Sequence, residues 1–125
     1  MGLDIGLAGT AELEVTEADT AISLGSGDVP VLGTPRLLAL CEAAAMKAVN
    51  GYVAADQTTV GCRVQIDHLR PTAVGHVVVA EAHLDKIEGH RLIFTVNAKD
   101  ERGLVAAGRV TRVVIEIERF MEKTR

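Results

Sequence analysis

The chain contains one stretch that can form a long helix, and this limits the folds open to it. Thr34 can act as the N-cap, because its hydroxyl can accept a hydrogen bond from a backbone N–H of the first turn. Pro35 suits the first helical position, where a missing N–H costs nothing. Asn50 and Gly51 end the helix, since both residues tolerate the left-handed conformation. The Ala- and Leu-rich segment between these signals predicts a helix of about 16 residues.

Most positions of this helix are apolar, so we expect it to be buried on most of its sides. Glu42 lies in the middle of it, and a carboxylate is rarely buried without a partner. One interpretation is a structural ion pair with Lys47 or Arg36. The other is a desolvated carboxylate that acts as base or nucleophile in a cleft between subunits. The apolar positions are Leu37, Leu38, Leu40, Cys41, Ala44, Ala45 and Ala48.

Strand signals surround the helix. Two weak ones precede it, at residues 7–15 and 20–24, and four stronger ones follow it with short turns between them. The stronger segments are residues 59–68, 77–87, 91–99 and 104–118. Strict alternation in the first of these predicts one shared face for Val60, Cys62, Val64, Ile66 and His68.

This order of elements predicts an α+β fold in which an antiparallel sheet of five or six strands wraps one central helix. That arrangement is the hotdog fold, and residues 1–125 form a single domain of it. An alternating βαβ fold is excluded, because it needs more than one helix. One helix covers only one face of the sheet, so a second copy of the chain is the simplest cover for the remaining apolar positions.

The composition excludes several classes of function. A formal net charge of −4 without a basic patch argues against a nucleic-acid partner. Charged residues make up 24% of the chain and are well dispersed, which excludes a membrane span. No signal peptide is visible, so we expect a cytoplasmic protein. Cys41 and Cys62 form no CxxC pair and no two histidines have metal-ligand spacing on one helix, so we expect no metal site.

The start of the helix is a candidate oxyanion site. The backbone N–H groups of Arg36 and Leu37 can face a carbonyl oxygen, because Pro35 has none to offer. We therefore assign Gly33, Arg36 and Leu37 to substrate binding. His68 ends an apolar strand face, and a lone histidine in such a place is more often a packed residue than a catalyst.

Four residues taken together are more specific than any one of them. Gly33-Thr34-Pro35 leads into the helix, Glu42 follows the threonine by eight residues, and Gly61 and His68 lie on the next strand. This pattern resembles the fluoroacetyl-CoA thioesterase-like family of hotdog proteins. The likeness extends from residue 25 to residue 120, including the segments at 71–75, 88–92 and 112–120.

The resemblance implies a function and a site. The catalytic set would be Thr34, Glu42 and His68, with Gly61 beside the acyl group and Arg112 near the site. Family members are homodimers with active sites at the dimer interface; whether dimers pair into tetramers is open. The implied reaction is hydrolysis of an acyl-CoA thioester to free acid and CoA, without a cofactor, since CoA is part of the substrate. The alternative is a non-catalytic acyl-CoA-binding hotdog module.

One departure from the family concerns the segment ahead of the helix. The enzyme that gives the family its name carries bulky aromatic residues there, which form a lid over its small substrate. In this chain residues 25–30 read Gly-Ser-Gly-Asp-Val-Pro, without an aromatic residue. The resemblance therefore implies a more open acyl pocket.

Overall fold

A computed structural model describes residues 2–125. Strand β1 is followed by a single 3-10 turn and a short helix α1, then by the long helix α2 and four strands, and the chain ends in a short helix α3. The bounds are β1 Ala8–Glu14, the 3-10 turn Glu17–Asp19, α1 Ala21–Leu24, α2 Thr34–Val49, β2 Gln57–His68, β3 Val77–Glu88, β4 Arg91–Asp100, β5 Gly103–Glu116 and α3 Ile117–Glu122.

The five strands form one antiparallel sheet in the order β1-β3-β4-β5-β2, with α2 packed against it. The predicted α+β arrangement is therefore present, with five strands. The alternation predicted for residues 91–99 is also confirmed, since every second side chain of β4 is buried in the core. These side chains are Leu92, Phe94, Val96 and Ala98. These side chains belong to the apolar core between the sheet and α2.

Residues 21–24 form a helix and Thr20 makes only an isolated bridge to Leu32, so the prediction of a strand at residues 20–24 is wrong. Thr20 acts as the N-cap of α1, and its hydroxyl accepts a hydrogen bond from the backbone N–H of Ser23 at 3.2 Å. Gly25 ends this helix in the left-handed conformation with φ of 70°. A threonine cap and a glycine stop decide the local structure over the β-branched Ile22 between them.

Helix α2 has the predicted length of 16 residues, but its first residue differs. Gly33 is the N-cap, and Thr34 is the first helical residue, so the prediction of Thr34 as N-cap is wrong. The helix ends at Val49, with Asn50 as C-cap and Gly51 at φ of 86°. The prediction of its C-terminal stop is confirmed.

Burial covers one side of α2 rather than most of it. The buried side faces the sheet, whereas Ala39 and Met46 are exposed and Leu38, Glu42 and Ala43 are half-buried. The expectation of burial on most sides is therefore met only in part. The open side carries Ala39, Ala43 and Met46 around Glu42, with Lys47 exposed beside them, and this carboxylate therefore lies at the margin of the core.

A β-bulge divides strand β2 into two halves. Gly61 pairs with Arg112 and Arg63 pairs with Thr111, so Cys62 is an extra residue without a partner on β5. A bulge of one residue exchanges the two faces of a strand. The predicted common face from Val60 to His68 is therefore wrong in its first half.

After the bulge the predicted face holds, since Val64 and Ile66 pack against the core. Before the bulge the odd-numbered residues face inward, so that Thr59 is buried and Gly61 lies against the helix. The bulge thus aims Gly61 and His68 at α2, although they lie seven positions apart on the strand.

Strand β5 ends at Glu116, and the predicted continuation to residue 118 turns into α3. Among residues 2–125, no helix has the length and apolar character needed to cross a membrane.

Candidate active site

Thr34 and His68 form a hydrogen-bonded pair at the start of α2. Oγ1 of Thr34 lies 2.8 Å from Nδ1 of His68. Thr34 is the first residue of the helix and His68 is the last residue of β2, so two element ends meet here. The hydroxyl that was expected to cap the helix bonds the imidazole instead. Two of the three predicted catalytic residues are thus in contact within one chain.

His68 is held in a state that disfavours its charge. Burial lowers the pKa of His68 below its usual 6.5, and the nearby Arg70 backbone opposes this shift with a smaller effect. Nε2 of His68 is buried and, among the described residues, has no hydrogen-bond partner. A neutral imidazole with one nitrogen bound to Thr34 and the other unpartnered is able to accept or donate a proton.

A cavity of about 300 Å³ adjoins this pair. Thr34 and His68 line one side of it, and the segment ahead of α2 contributes Ser26, Gly27 and Val29 to the other. None of the described residues that line the cavity is aromatic. The segment without aromatic residues is therefore the wall of a cavity beside His68.

The helix start does not offer the amides expected of it. The N–H groups of Arg36 and Leu37 both donate to the carbonyl oxygen of Gly33, each at 3.1 Å. The expectation that these two groups are free is wrong, because a glycine N-cap turns its carbonyl into the helix. Within residues 2–125, the N–H of Thr34 is the first-turn amide left without a hydrogen bond.

The other groups assigned to the helix start also have structural partners. The side chain of Arg36 forms an ion pair with Asp19 at 3.1 Å. A Cβ on Gly33 would lie 2.8 Å from Cδ1 of Leu24 and 3.1 Å from Cα of Ala21. Glycine at this position is thus required by the packing of α1 against the start of α2. Asp19, Ala21 and Leu24 lie well before the helix in the chain. The local sequence pattern of the helix start therefore gives no sign of these contacts.

Glu42 is paired with Arg112, which is neither of the two partners considered from the sequence. Oε2 of Glu42 accepts a hydrogen bond from Nη1 of Arg112 at 2.7 Å. The Glu42 side chain is 32% exposed and that of Arg112 is 6% exposed. Arg112 holds one carboxylate oxygen, and the other has no hydrogen-bond partner among the described residues.

Gly61 lies against this ion pair. A Cβ on Gly61 would overlap Oε2 of Glu42 and would lie 3.3 Å from Nη1 of Arg112. Gly61 and Arg112 are direct partners in the β2–β5 ladder. The structure therefore brings together three of the predicted site residues, namely Glu42, Gly61 and Arg112.

Thr59 completes the surroundings of Arg112, and the sequence analysis missed it. Nε of Arg112 donates to Oγ1 of Thr59 at 2.9 Å, and Nη2 donates to the Thr59 carbonyl oxygen at 2.8 Å. Burial lowers the pKa of Arg112, and the charge of Glu42 opposes this effect. The only sequence signal for Thr59 is that it lies two residues before Gly61, so that both residues fall on the same face of the strand.

Cys41 is a packing residue, as predicted. It is fully buried, and burial together with the charge of Glu42 raises the pKa of its thiol to about 11. A thiol in this state is a poor nucleophile at neutral pH. In the part of the chain that the structure describes, no group of three or more His, Cys, Asp or Glu side chains is arranged to hold a metal ion.

The predicted site residues therefore form two clusters within one chain. Thr34 and His68 form one, which we call the hydroxyl–imidazole cluster. Glu42, Gly61 and Arg112 form the other, which we call the carboxylate cluster. Thr34 and Glu42 are separated by eight residues of α2, which is about 12 Å along the helix axis. The only hydrogen-bond partner of Glu42 among the described residues is Arg112.

Comparison with known proteins relates this arrangement to one family. Residues 15–118 match the family described as FlK, fluoroacetyl-CoA-specific thioesterase. The fluoroacetyl-CoA thioesterase of Streptantibioticus cattleyicolor is 30% identical over 95 residues, which cover 76% of this chain and 68% of that protein.

Solved structures agree. A structure of the fluoroacetyl-CoA thioesterase FlK superimposes with a TM-score of 0.94 at 27% identity, covering 100% of this chain and 97% of that chain. A mutant of FlK in complex with fluoroacetate and CoA gives a TM-score of 0.88 at 26% identity, covering 94% and 99%. These matches confirm the hotdog fold class predicted from the sequence.

Proposed function

Because this chain belongs to the fluoroacetyl-CoA-specific thioesterase family, we propose that it hydrolyses an acyl-CoA thioester to free acid and CoA with Thr34, Glu42 and His68. The observation that carries the proposal is the carboxylate cluster. A carboxylate in the middle of a largely apolar helix is anchored by one oxygen to a buried arginine and lies directly against a glycine. The glycine makes room for the arginine-bound oxygen, and the other oxygen has no hydrogen-bond partner among the described residues, so it is the one available for chemistry.

We further propose that each site is shared between two copies of the chain. The two clusters lie about 12 Å apart along α2, which is too far for both to contact one thioester carbonyl. A symmetric dimer that packs two copies of α2 side by side brings the carboxylate cluster of one subunit to the hydroxyl–imidazole cluster of the other. Two equivalent sites result.

Two surface features support a dimer. The open side of α2 exposes Ala39 and Met46. These side chains form an apolar face beside the carboxylate of Glu42. Strand β2 is an edge of the sheet, so that its outer backbone groups have no partner strand among the described residues. Both features belong to the elements that carry the site. An interface formed there would cover the apolar face and complete the site together.

The chemistry follows from the two clusters. The free oxygen of Glu42 attacks the thioester carbonyl carbon directly, or it removes a proton from a water molecule that attacks there. The partner subunit's His68 is neutral at rest, so it first accepts the proton that the attacking water releases, directly or from Glu42, and then gives it to the CoA thiolate. Thr34 holds the imidazole in place through its hydroxyl. The N–H of Thr34 is the free helix-start donor for the developing oxyanion.

The acyl group is not restricted to a very small one. The cavity beside His68 measures about 300 Å³ and is walled by the segment that contains Ser26, Gly27 and Val29. Small side chains in this wall leave room for an acyl group longer than two carbons. We therefore propose a broader acyl-CoA specificity than that named for the S. cattleyicolor relative.

The experiment is CoA release from a panel of acyl-CoAs, from acetyl through long-chain to aromatic, by the wild type, Glu42→Gln and His68→Ala. We expect turnover with at least one substrate and a loss of about 10²–10⁴-fold in each variant, because that is the usual worth of an acid–base group. Thermal unfolding of each variant checks that the fold is retained. In a single turnover in ¹⁸O-labelled water, a first acid without label identifies Glu42 as the nucleophile, since the anhydride is then opened at the glutamyl carbon and the glutamate oxygen leaves with the acid.

Some results would contradict the proposal. Tight binding of acyl-CoA without CoA release from any member of the panel would favour the non-catalytic binding module. Full activity of a stable Glu42→Gln variant would exclude the mechanism.

A further inference from the structure

A chain of hydrogen bonds runs from strand β2 to the Glu42 carboxylate through a buried guanidinium. Arg112 is 5% exposed, and three of its nitrogen atoms each donate one bond. Nε donates to Oγ1 of Thr59 at 2.9 Å and Nη2 donates to the Thr59 carbonyl oxygen at 2.8 Å. Nη1 donates to Oε2 of Glu42 at 2.7 Å. Thr59 therefore accepts two of the three bonds.

We propose that Thr59 is a positioning residue for the hydrolysis, which holds the Glu42 carboxylate against Gly61 by fixing the orientation of Arg112. Thr59 touches neither Glu42 nor, in this account, the substrate. Its effect on the reaction passes entirely through the guanidinium. The inference rests on the proposed function for its catalytic consequence, but the contact between Thr59 and Arg112 does not.

The hydroxyl of Thr59 contributes something that its backbone carbonyl alone does not, namely a second acceptor for the guanidinium. A guanidinium held by one acceptor can rotate about that bond, whereas two acceptors on different nitrogens fix its plane. Once the plane is fixed, the direction of the third bond, toward Glu42, is fixed as well. The β-branched side chain of threonine restricts its own χ1, so that the hydroxyl is held in place before Arg112 binds it.

Burial makes this arrangement hard to replace. Thr59 is 6% exposed and Arg112 is 5% exposed, so water cannot readily substitute for a lost acceptor. If the hydroxyl is removed, Nε of Arg112 must remain unpaired or turn toward another acceptor. The other two acceptors that Arg112 uses are the Thr59 carbonyl oxygen and the Glu42 carboxylate, and a turn toward the carboxylate would change the position of that carboxylate.

The test compares Thr59→Val with Thr59→Ser. Valine keeps the branched shape and removes the hydroxyl, whereas serine keeps the hydroxyl. We expect kcat of Thr59→Val to fall about 10- to 100-fold with KM within about twofold of the wild type, since a misplacement of 1 Å can cost 10²-fold. Thr59→Ser should retain kcat within about threefold, because the acceptor is restored.

Thr58→Val is the matched control. Thr58 is the preceding residue on β2, is half-buried and makes no side-chain hydrogen bond among the described residues. It should keep wild-type kcat and KM. Wild-type kcat in Thr59→Val would overturn the inference. An equal loss of kcat in Thr59→Val and Thr59→Ser would also overturn it, because the loss would then not depend on whether the hydroxyl is present.

A second measurement does not depend on activity. In ¹⁵N-labelled protein, the exchange of the Arg112 Nε–H proton with solvent reports on its hydrogen bond to Thr59. Exchange should be slow in the wild type and in Thr59→Ser, and at least 10-fold faster in Thr59→Val. An unchanged exchange rate in Thr59→Val would refute the positioning role whatever the enzyme does. Slow exchange in the wild type without any CoA release would leave Thr59 in place and remove the proposed function instead.

Discussion

Gly61→Ala tests whether the carboxylate of Glu42 must lie against a glycine. A Cβ at this position would overlap Oε2 of Glu42, while Nη1 of Arg112 would lie 3.3 Å away. Arg112 is anchored by Thr59, so the carboxylate is the group that must withdraw, by about 1 Å. Such a displacement should lower kcat about 10²-fold, which corresponds to about 2.7 kcal/mol.

The same substitution should affect stability much less. Weakening a hydrogen bond between charged groups costs about 1.5–3 kcal/mol, and alanine in place of glycine recovers about 0.4–1 kcal/mol from the unfolded chain. Gly61 is not among the glycines with positive φ, so backbone strain adds nothing. The net loss of about 1–2 kcal/mol should lower Tm by a few degrees.

Gly108→Ala is the control that separates fold from site. A Cβ on Gly108 would overlap the carbonyl oxygen of Gln65 and would lie 2.7 Å from Cα of Ile66. Backbone atoms of β2 cannot withdraw as a side chain can, so we expect a much larger fall in Tm. The assays are CoA release and thermal unfolding. Wild-type kcat in Gly61→Ala would refute the close contact between Glu42 and Gly61.

Three further predictions concern other groups. Thr34→Val should lower kcat by at least about 10-fold yet keep Tm within about 2 °C, because Gly33 rather than Thr34 caps the helix; a fall in Tm typical of a lost N-cap would contradict this. Burial lowers the pKa of His68, so just below pH 6.5 the unfolded chain binds a proton that the folded chain does not. The free energy of unfolding in urea should therefore be at its full value above about pH 6.5 and decline as the pH falls below it. The decline should be less steep in His68→Gln. An equal slope in the two proteins would argue against a buried neutral His68. Iodoacetamide at pH 7.5 should label the exposed Cys62 and spare Cys41, whose pKa is raised to about 11, until the protein is unfolded; labelling of both in the folded protein would contradict the burial of Cys41.

The main elements of the fold could be predicted from the sequence because their signals are local. Helix α2 has its stop signal at Asn50 and Gly51 and an uninterrupted helix-forming body, and its length is as expected. Strand β4 alternates without interruption, and its apolar face is the buried face. Both are cases in which propensity and burial agree.

One error came from a local cap, and the others came from contacts between residues distant in the sequence. Residues 21–24 form a helix because Thr20 caps it, whereas Thr34 does not cap α2 because its hydroxyl bonds His68, which is 34 residues away. The bulge at Cys62 was also missed, because β2 reads as an uninterrupted alternating strand. An extra residue in a strand leaves no mark in the hydrophobic pattern unless its partner strand is known.

The candidate site residues were named from the sequence mainly through the family resemblance, and the geometry that joins them could not be predicted. The ion pair of Glu42 joins it to Arg112 across 70 positions of the chain, and neither partner considered from the sequence forms it. Arg36, one of those partners, is engaged by Asp19. The division into two clusters depends on how α2 packs across β2. The hydrophobic periodicity of the sequence carries no information on that packing.

The most direct test of the account is a mixture of two inactive variants. If Glu42 of one subunit works with the partner subunit's His68, a heterodimer of Glu42→Gln and His68→Ala contains one intact site. Refolding the two variants together in equal amounts should restore about one quarter of wild-type CoA release, since half of the dimers are mixed and each has one working site. If the mixture stays as inactive as its components while the two subunits are shown to exchange, the shared site is contradicted.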